Sequence, residues 1–83
     1  DSDNGDGVRL EFNDVPAGLV NGVNAVFTLN NEPDPSSDIL LFVNGLLQRQ
    51  GASFDYTLVG DTITFNAGAV PTTGDTLLTS YRY

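Results

Sequence analysis

Carboxylates are the most abundant chemically active groups in this sequence, with eleven Asp and Glu residues against three cations, all of them arginine. Asp34, Asp38, Asp55, Asp61 and Asp75 are the candidates for an acid pair, since two carboxyls held about 5–10 Å apart across a cleft can hydrolyse a glycosidic bond. Each of the five, however, sits in or beside a turn-forming stretch, where Asp bonds its own backbone. A chain of 83 residues also has little room for such a cleft. They are read as turn caps, and no catalytic residue is expected. Asp1 to Gly7 (DSDNGDG) has the composition of a calcium loop, but that loop needs oxygen ligands at its first, third and fifth positions and Gly at the sixth. Here the fifth is Gly5 and the sixth Asp6, so residues 1–7 read as a solvated, flexible acidic lead-in, and no metal is expected. The remaining chemical candidates are aromatic. Tyr81 and Tyr83, on a terminal strand that could form a sheet edge, are the best placed to stack against a sugar, whereas most other aromatics fall on core-directed faces.

The residue types that are missing exclude whole classes of function. With no His and no Cys there is no imidazole base, no thiol nucleophile and no ordinary zinc site. Without Lys there is neither a Schiff base nor a P-loop, and no cofactor is implied. The net charge of -8 argues against nucleic acid, which is bound by neutralising phosphates with Lys and Arg. The longest apolar run, Ile39 to Val43, is far short of the roughly 20 residues that cross a bilayer. A first residue of Asp rather than Met leads us to expect a processed product or a piece of a longer chain. With 40% hydrophobic residues the chain can fold, but a domain this small has a modest core and no disulfide to reinforce it. Help from a partner subunit, or from the rest of a longer chain, is therefore expected.

The elements that would position these groups are short strands. Val8, Leu10 and Phe12 alternate with Arg9 and Glu11, predicting a short half-buried strand. Asn13 to Gly22 is a loop, and from Val23 to Leu29 the alternation resumes with Val23, Ala25, Phe27 and Leu29 on one face. Asn30 to Asp38 is a polar connection carrying two prolines. Ile39 to Val43 is apolar on both faces and is followed by Asn44-Gly45, a strong hairpin signal, because a type I′ turn needs positive φ at both central residues. The two-residue loop sets Val43 opposite Leu46, Phe42 opposite Leu47 and Leu41 opposite Gln48. A second hairpin closes at Gly60-Asp61, setting Val59 opposite Thr62, Leu58 opposite Ile63 and Tyr56 opposite Phe65. Both apolar sets then share one face, as a correct register requires. After the loop Ala67–Asp75, the last strand places Leu77, Thr79, Tyr81 and Tyr83 on one side and Leu78, Ser80 and Arg82 on the other. No segment has a sustained helical period. The expected fold is all-β, a small antiparallel β-sandwich of Ig-like or jelly-roll-like kind, with six or seven strands in a single domain over residues 8–83.

From Asn21 onward the order of elements resembles a module recurrent in bacteriophage virion proteins. The resemblance is carried by Asn21-Gly22-Val23-Asn24, Phe27-Thr28-Leu29, a Pro-bearing loop and Leu41-Phe42-Val43-Asn44-Gly45. It continues through Asp55-Tyr56-Thr57, Ile63-Thr64-Phe65, Gly74-Asp75-Thr76 and Tyr81-Arg82-Tyr83. It covers about three quarters of the chain, residues 1–20 lie outside it, and the ordered set rather than any one piece carries the weight. The family comprises small β-sandwich modules of tail-fibre, tail-attachment and head-decoration proteins. It implies a non-enzymatic structural part located on a virion, assembled as a homo-oligomer, often a trimer, alongside other virion proteins. It supplies no catalytic residues.

The expected contact surface centres on the run that is apolar on both faces, because a two-layer sandwich does not ordinarily bury both faces of one strand. Its residues are Leu40, Leu41, Phe42, Val43, Leu46 and Leu47, with Arg49 as a cation able to bridge to a neighbour's carboxylates, a role open to Arg82 as well. Either a sister subunit or an intrachain cover such as the 13–22 loop could shield the second face. A carbohydrate or host-surface ligand, stacked on Tyr81 and Tyr83, is the alternative.

Overall fold

The computed structural model describes residues 9–35 and 39–83. The lead-in Asp1–Gly7, Val8 at the start of the first expected strand and Asp38 of the polar connection lie outside the described residues. Among the described residues seven strands form: β1 (Leu10–Asp14), β2 (Val26–Thr28), β3 (Ile39–Val43), β4 (Leu46–Leu47), β5 (Tyr56–Val59), β6 (Thr62–Phe65) and β7 (Leu77–Arg82). They build two antiparallel sheets, a four-stranded one in the order β1-β7-β3-β4 and a three-stranded one in the order β2-β6-β5. Among the described residues, the one helical element is a 3-10 turn at Ala67–Ala69.

The two hairpins have the expected registers because their turns dictate them. Asn44 and Gly45 both take positive φ, at 54° and 81°, and the turn sets Phe42 opposite Leu47 and Val43 opposite Leu46. Gln48 N–H donates to Leu41 O at 2.7 Å, continuing the ladder. Gly60, at φ 61°, opens the second turn, and Val59, Leu58 and Tyr56 meet Thr62, Ile63 and Phe65. After Gln48 the chain leaves the first sheet for the second, where Gln50 bridges to Tyr56.

The core fills the space between the sheets. Ile39, Leu41, Leu77 and Tyr81 from the four-stranded sheet meet Phe27, Leu29, Tyr56, Ile63 and Phe65 from the other side. Phe27 and Phe65 pack edge to face with ring centroids 5.6 Å apart, the arrangement that aligns a ring edge with a neighbouring π face.

Three expectations are corrected. Leu10 and Phe12 were read as the half-buried face of β1, yet both are exposed on the outside of the sheet. An irregularity between Glu11 and Asp14, with Asn13 at φ 55°, instead swings Asp14 into the interior, while Arg9 and Asn13 stay exposed. Val23 is 85% exposed rather than core-facing, because Asn21 Oδ1 accepts from the N–H groups of Val23 and Asn24 and holds that stretch in a turn until Val26. Finally, β7 is no edge. It lies between β1 and β3, which buries Tyr81.

Candidate functional site

The outer faces of the two sheets differ in kind. On the three-stranded sheet, residues opposite one another across the ladders are Val26, Thr64 and Thr57 in one row and Thr28, Thr62 and Val59 in the next. Four threonines share that face with two exposed valines, Val26 and Val59. On the four-stranded sheet, one row runs Leu47, Phe42 and Leu78, the next sets Leu40 against Ser80, and the third sets Leu10 against Arg82. Phe12 flanks the last row. Exposures of 58% for Leu10, 66% for Phe12, 50% for Leu40 and 58% for Leu47 show that nothing among the described residues covers this face. Those four side chains leave on the order of 500 Å² of apolar surface open, at the upper end for a single chain. Leu10, Phe12, Leu40, Ser80 and Arg82 also line an open groove of about 390 Å³. None of the strand residues on this face is acidic, although the chain carries a net charge of -8.

Seven residues were expected at this surface, and the structure divides them. Leu40, Phe42 and Leu47 lie on the outer face. Leu41 is fully buried, and Val43 packs against the core from the inner side, so neither can present a contact surface. Leu46 is exposed at the hairpin tip, paired with Val43. Arg49 lies beyond the sheet, at the crossing to the second layer, where its guanidinium carbon sits 3.9 Å from the centroid of the exposed Phe54 ring. Leu10, Phe12 and Leu78 belong to the face and were not assigned to it from the sequence. Their alternation was legible, but alternation tells which residues share a side and not which side faces out. The 13–22 loop, the alternative cover, lies elsewhere: Ala17 bonds Thr28 of β2, and Gly22 N–H donates to Pro71 O at 2.9 Å.

The two tyrosines separate as well. The Tyr81 hydroxyl donates to Asp14 Oδ2 at 3.0 Å and accepts from Asn31 N–H at 3.1 Å. Asp14 Oδ1 accepts from Asn30 Nδ2 at 2.7 Å, Oδ2 from Asn30 N–H at 3.2 Å, and the Asp14 carbonyl from Thr79 Oγ1 at 3.0 Å. Burial raises the Tyr81 pKa above the ordinary tyrosine value. This ring is committed to the interior, which corrects its expected role as a stacking platform. Tyr83 is half-buried and lines a shallow depression with Glu32, Pro33 and Asp34.

Of the five Asp residues read as turn caps, Asp55 and Asp75 accept from backbone N–H groups, Asp61 bonds the neighbouring Thr62 hydroxyl instead, and Asp38 lies outside the described residues. Asp55 Oδ2 accepts from Arg49 N–H at 2.8 Å, and Asp61 Oδ1 from Thr62 Oγ1 at 3.2 Å. Asp75 accepts from Thr72 N–H at 2.8 Å and from Asn44 Nδ2 at 2.9 Å, bonds that hold its carboxyl below the usual value. Among the described residues, no three His, Cys, Asp or Glu side chains are grouped to hold a metal ion. Comparison with protein-family models, curated proteins and solved structures gave no match.

Proposed function

We propose that this chain is a non-enzymatic structural module of a phage virion, a fibre, tail or capsid-decoration part that associates with copies of itself and attaches to the particle. The observation that carries the reading is the contrast between the two outer faces. A threonine-rich face and an uncovered leucine-phenylalanine face on one small domain fit a part that is wet on one side and docked on the other. The ordered motifs from Asn21 to Tyr83 supply the phage assignment by resemblance, and the all-β sandwich is consistent with it.

Sedimentation of three proteins tests this. The unaltered chain is expected to self-associate at micromolar concentration. Leu10→Asp is expected to dissociate it with little change in melting temperature, since Leu10 is already 58% exposed, and Thr64→Asp on the opposite face is expected to leave it associated. A monomeric unaltered chain, or equal behaviour of the two variants, would refute the reading.

A carbohydrate- or host-surface-binding role is the second reading, favoured by the Tyr83 depression alone, where an aromatic ring stands beside the carboxylates of Glu32 and Asp34. Glycan binding lost on Tyr83→Ala would support it, and a glycan array without signal would end it.

A further inference from the structure

The edges of the two sheets are not treated alike. The outer side of β2 is occupied by Ala17, which exchanges two backbone hydrogen bonds with Thr28, at 2.8 and 2.9 Å. The outer side of β5 is occupied by the 49–51 segment, with Tyr56 N–H donating to Arg49 O at 3.3 Å and Gly51 N–H to Tyr56 O at 2.7 Å. β4 is only two residues long. β1, five residues long, pairs with β7 on one side and with no described residue on the other. Proteins normally shorten, cover or charge such an edge. This one alternates the exposed Leu10 and Phe12 with Arg9 and Glu11.

The phase of the ladder shows which peptide groups are open. Arg9 and Tyr83 exchange both backbone hydrogen bonds, at 3.3 and 2.9 Å. Leu10, opposite Arg82, is therefore a non-hydrogen-bonded position, and its N–H and C=O point away from β7 to the open side.

We propose that β1 pairs antiparallel with β1 of a second copy about a twofold axis through Leu10, joining two four-stranded sheets into one of eight strands. This rests on the self-association proposed above and names the edge that performs it. The charges select the register. An axis through Glu11 sets Glu11 directly against Glu11 of the second copy, which is unfavourable. An axis through Phe12 sets Leu10 against the buried Asp14 and runs the ladder into the irregularity at Asn13. The axis through Leu10 sets Arg9 against Glu11 of the second copy, twice, at the positions where side chains approach most closely. The sequence Arg9-Leu10-Glu11 is thus complementary to itself when antiparallel. Arg9 is exposed, and Glu11 is partly exposed, accepting from Asn31 Nδ2 at 3.3 Å. Pairing also sets Leu10, Phe12 and Leu40 of both copies on one continuous face. That enlarges the apolar face toward the area a specific contact with another virion protein needs. Such an isologous contact closes at two chains rather than three.

The test is a charge swap read by sedimentation equilibrium of the full chain. Arg9→Glu alone and Glu11→Arg alone each set like charges opposite in both contacts, and each is expected to weaken self-association by on the order of tenfold or more. An equimolar mixture of the two variants restores both attractive contacts and is expected to form a heterodimer at about the affinity of the unaltered chain. Far-UV circular dichroism of each variant is expected to match that of the unaltered chain, so a failure to combine reports the contact and not the fold. Association unaffected by either substitution would overturn the β1 contact while leaving self-association standing. Weakened variants that fail to combine would overturn the register. An unaltered chain that stays monomeric would overturn both this proposal and the reading beneath it.

Discussion

Asp14→Ala probes the polar cluster that ties the first strand to the last. The carboxylate is only 4% exposed and accepts three hydrogen bonds, from Asn30 N–H, Asn30 Nδ2 and the Tyr81 hydroxyl. Asn30 is exposed, so water replaces the carboxylate there and the loss at those two bonds is small. Tyr81 is buried, and its hydroxyl proton is left without an acceptor. A stranded buried donor costs about 1–3 kcal/mol, and with the lost charge-assisted bonds the expected destabilisation is about 2–4 kcal/mol. For a domain of this size that lowers the melting temperature by roughly 10–30 °C. It is a large share of the ~4–12 kcal/mol that such a chain has in total. Urea unfolding followed by tyrosine fluorescence is the assay, run at a concentration that keeps the chain monomeric. Tyr81→Phe removes the hydroxyl and leaves Asp14 its two Asn30 donors, so it is expected to cost only about 1 kcal/mol. In the Asp14→Ala background it is expected to cost almost nothing, because the group it removes has already lost its acceptor. An Asp14→Ala protein within about 0.5 kcal/mol of the unaltered chain would refute the reasoning, as would full additivity of the two substitutions.

Other expectations follow from the same contacts. Burial, reinforced by the nearby Asp55 charge, pushes the Tyr56 pKa up to about 12. The raised folded value means that stability is fully present below the unfolded value near 10 and is lost as pH rises from there through the folded value. A Tyr56 ring resonance that titrates with a midpoint near pH 10 while the fold is intact would contradict this. Gly18→Ala would bring a Cβ to 2.5 Å from Cδ2 of the buried Phe27 ring and is expected to cost about 1–3 kcal/mol in urea unfolding; an unchanged midpoint would count against the packing described. Asp75 has a lowered folded pKa, so its contribution is present above the ordinary carboxyl value and is lost as pH falls through the folded one. A carboxyl NMR titration should give a midpoint below 3.8, and one at the ordinary value would show that the Thr72 and Asn44 bonds do not persist in solution.

Both hairpins could be placed from the sequence because a two-residue turn leaves only one register. Asn44-Gly45 and Gly60-Asp61 carry that information within a few residues. The side on which each strand is buried was harder to place. In β3 both residue sets are apolar, so the sequence offered no way to tell Leu41, which is buried, from Leu40, which is not. In β1 the apolar set lost the interior to Asp14, whose partners at Asn30 and Tyr81 lie 16 and 67 residues away. No local pattern announces so distant a partner. Tyr81 was misplaced for the same reason: a strand at the end of the chain looked like an edge, but the pairing of β1 with β7 puts it in the middle.

That pairing has a kinetic consequence. The two hairpins close over two residues each, whereas β1 meets β7 only after nearly the whole chain has been gathered, and loop-closure entropy must be met before any such contact forms. The hairpins are therefore the early units and β1 the late one. The Asp14–Tyr81 bond belongs to the final step, so substitutions there accelerate unfolding and leave the folding rate nearly unchanged. The strand that folds last is also the first to peel away, and its apolar edge is then shielded only while a neighbour holds it. In the proposed assembly, pairing converts this loosely held margin into the slowest point of exchange.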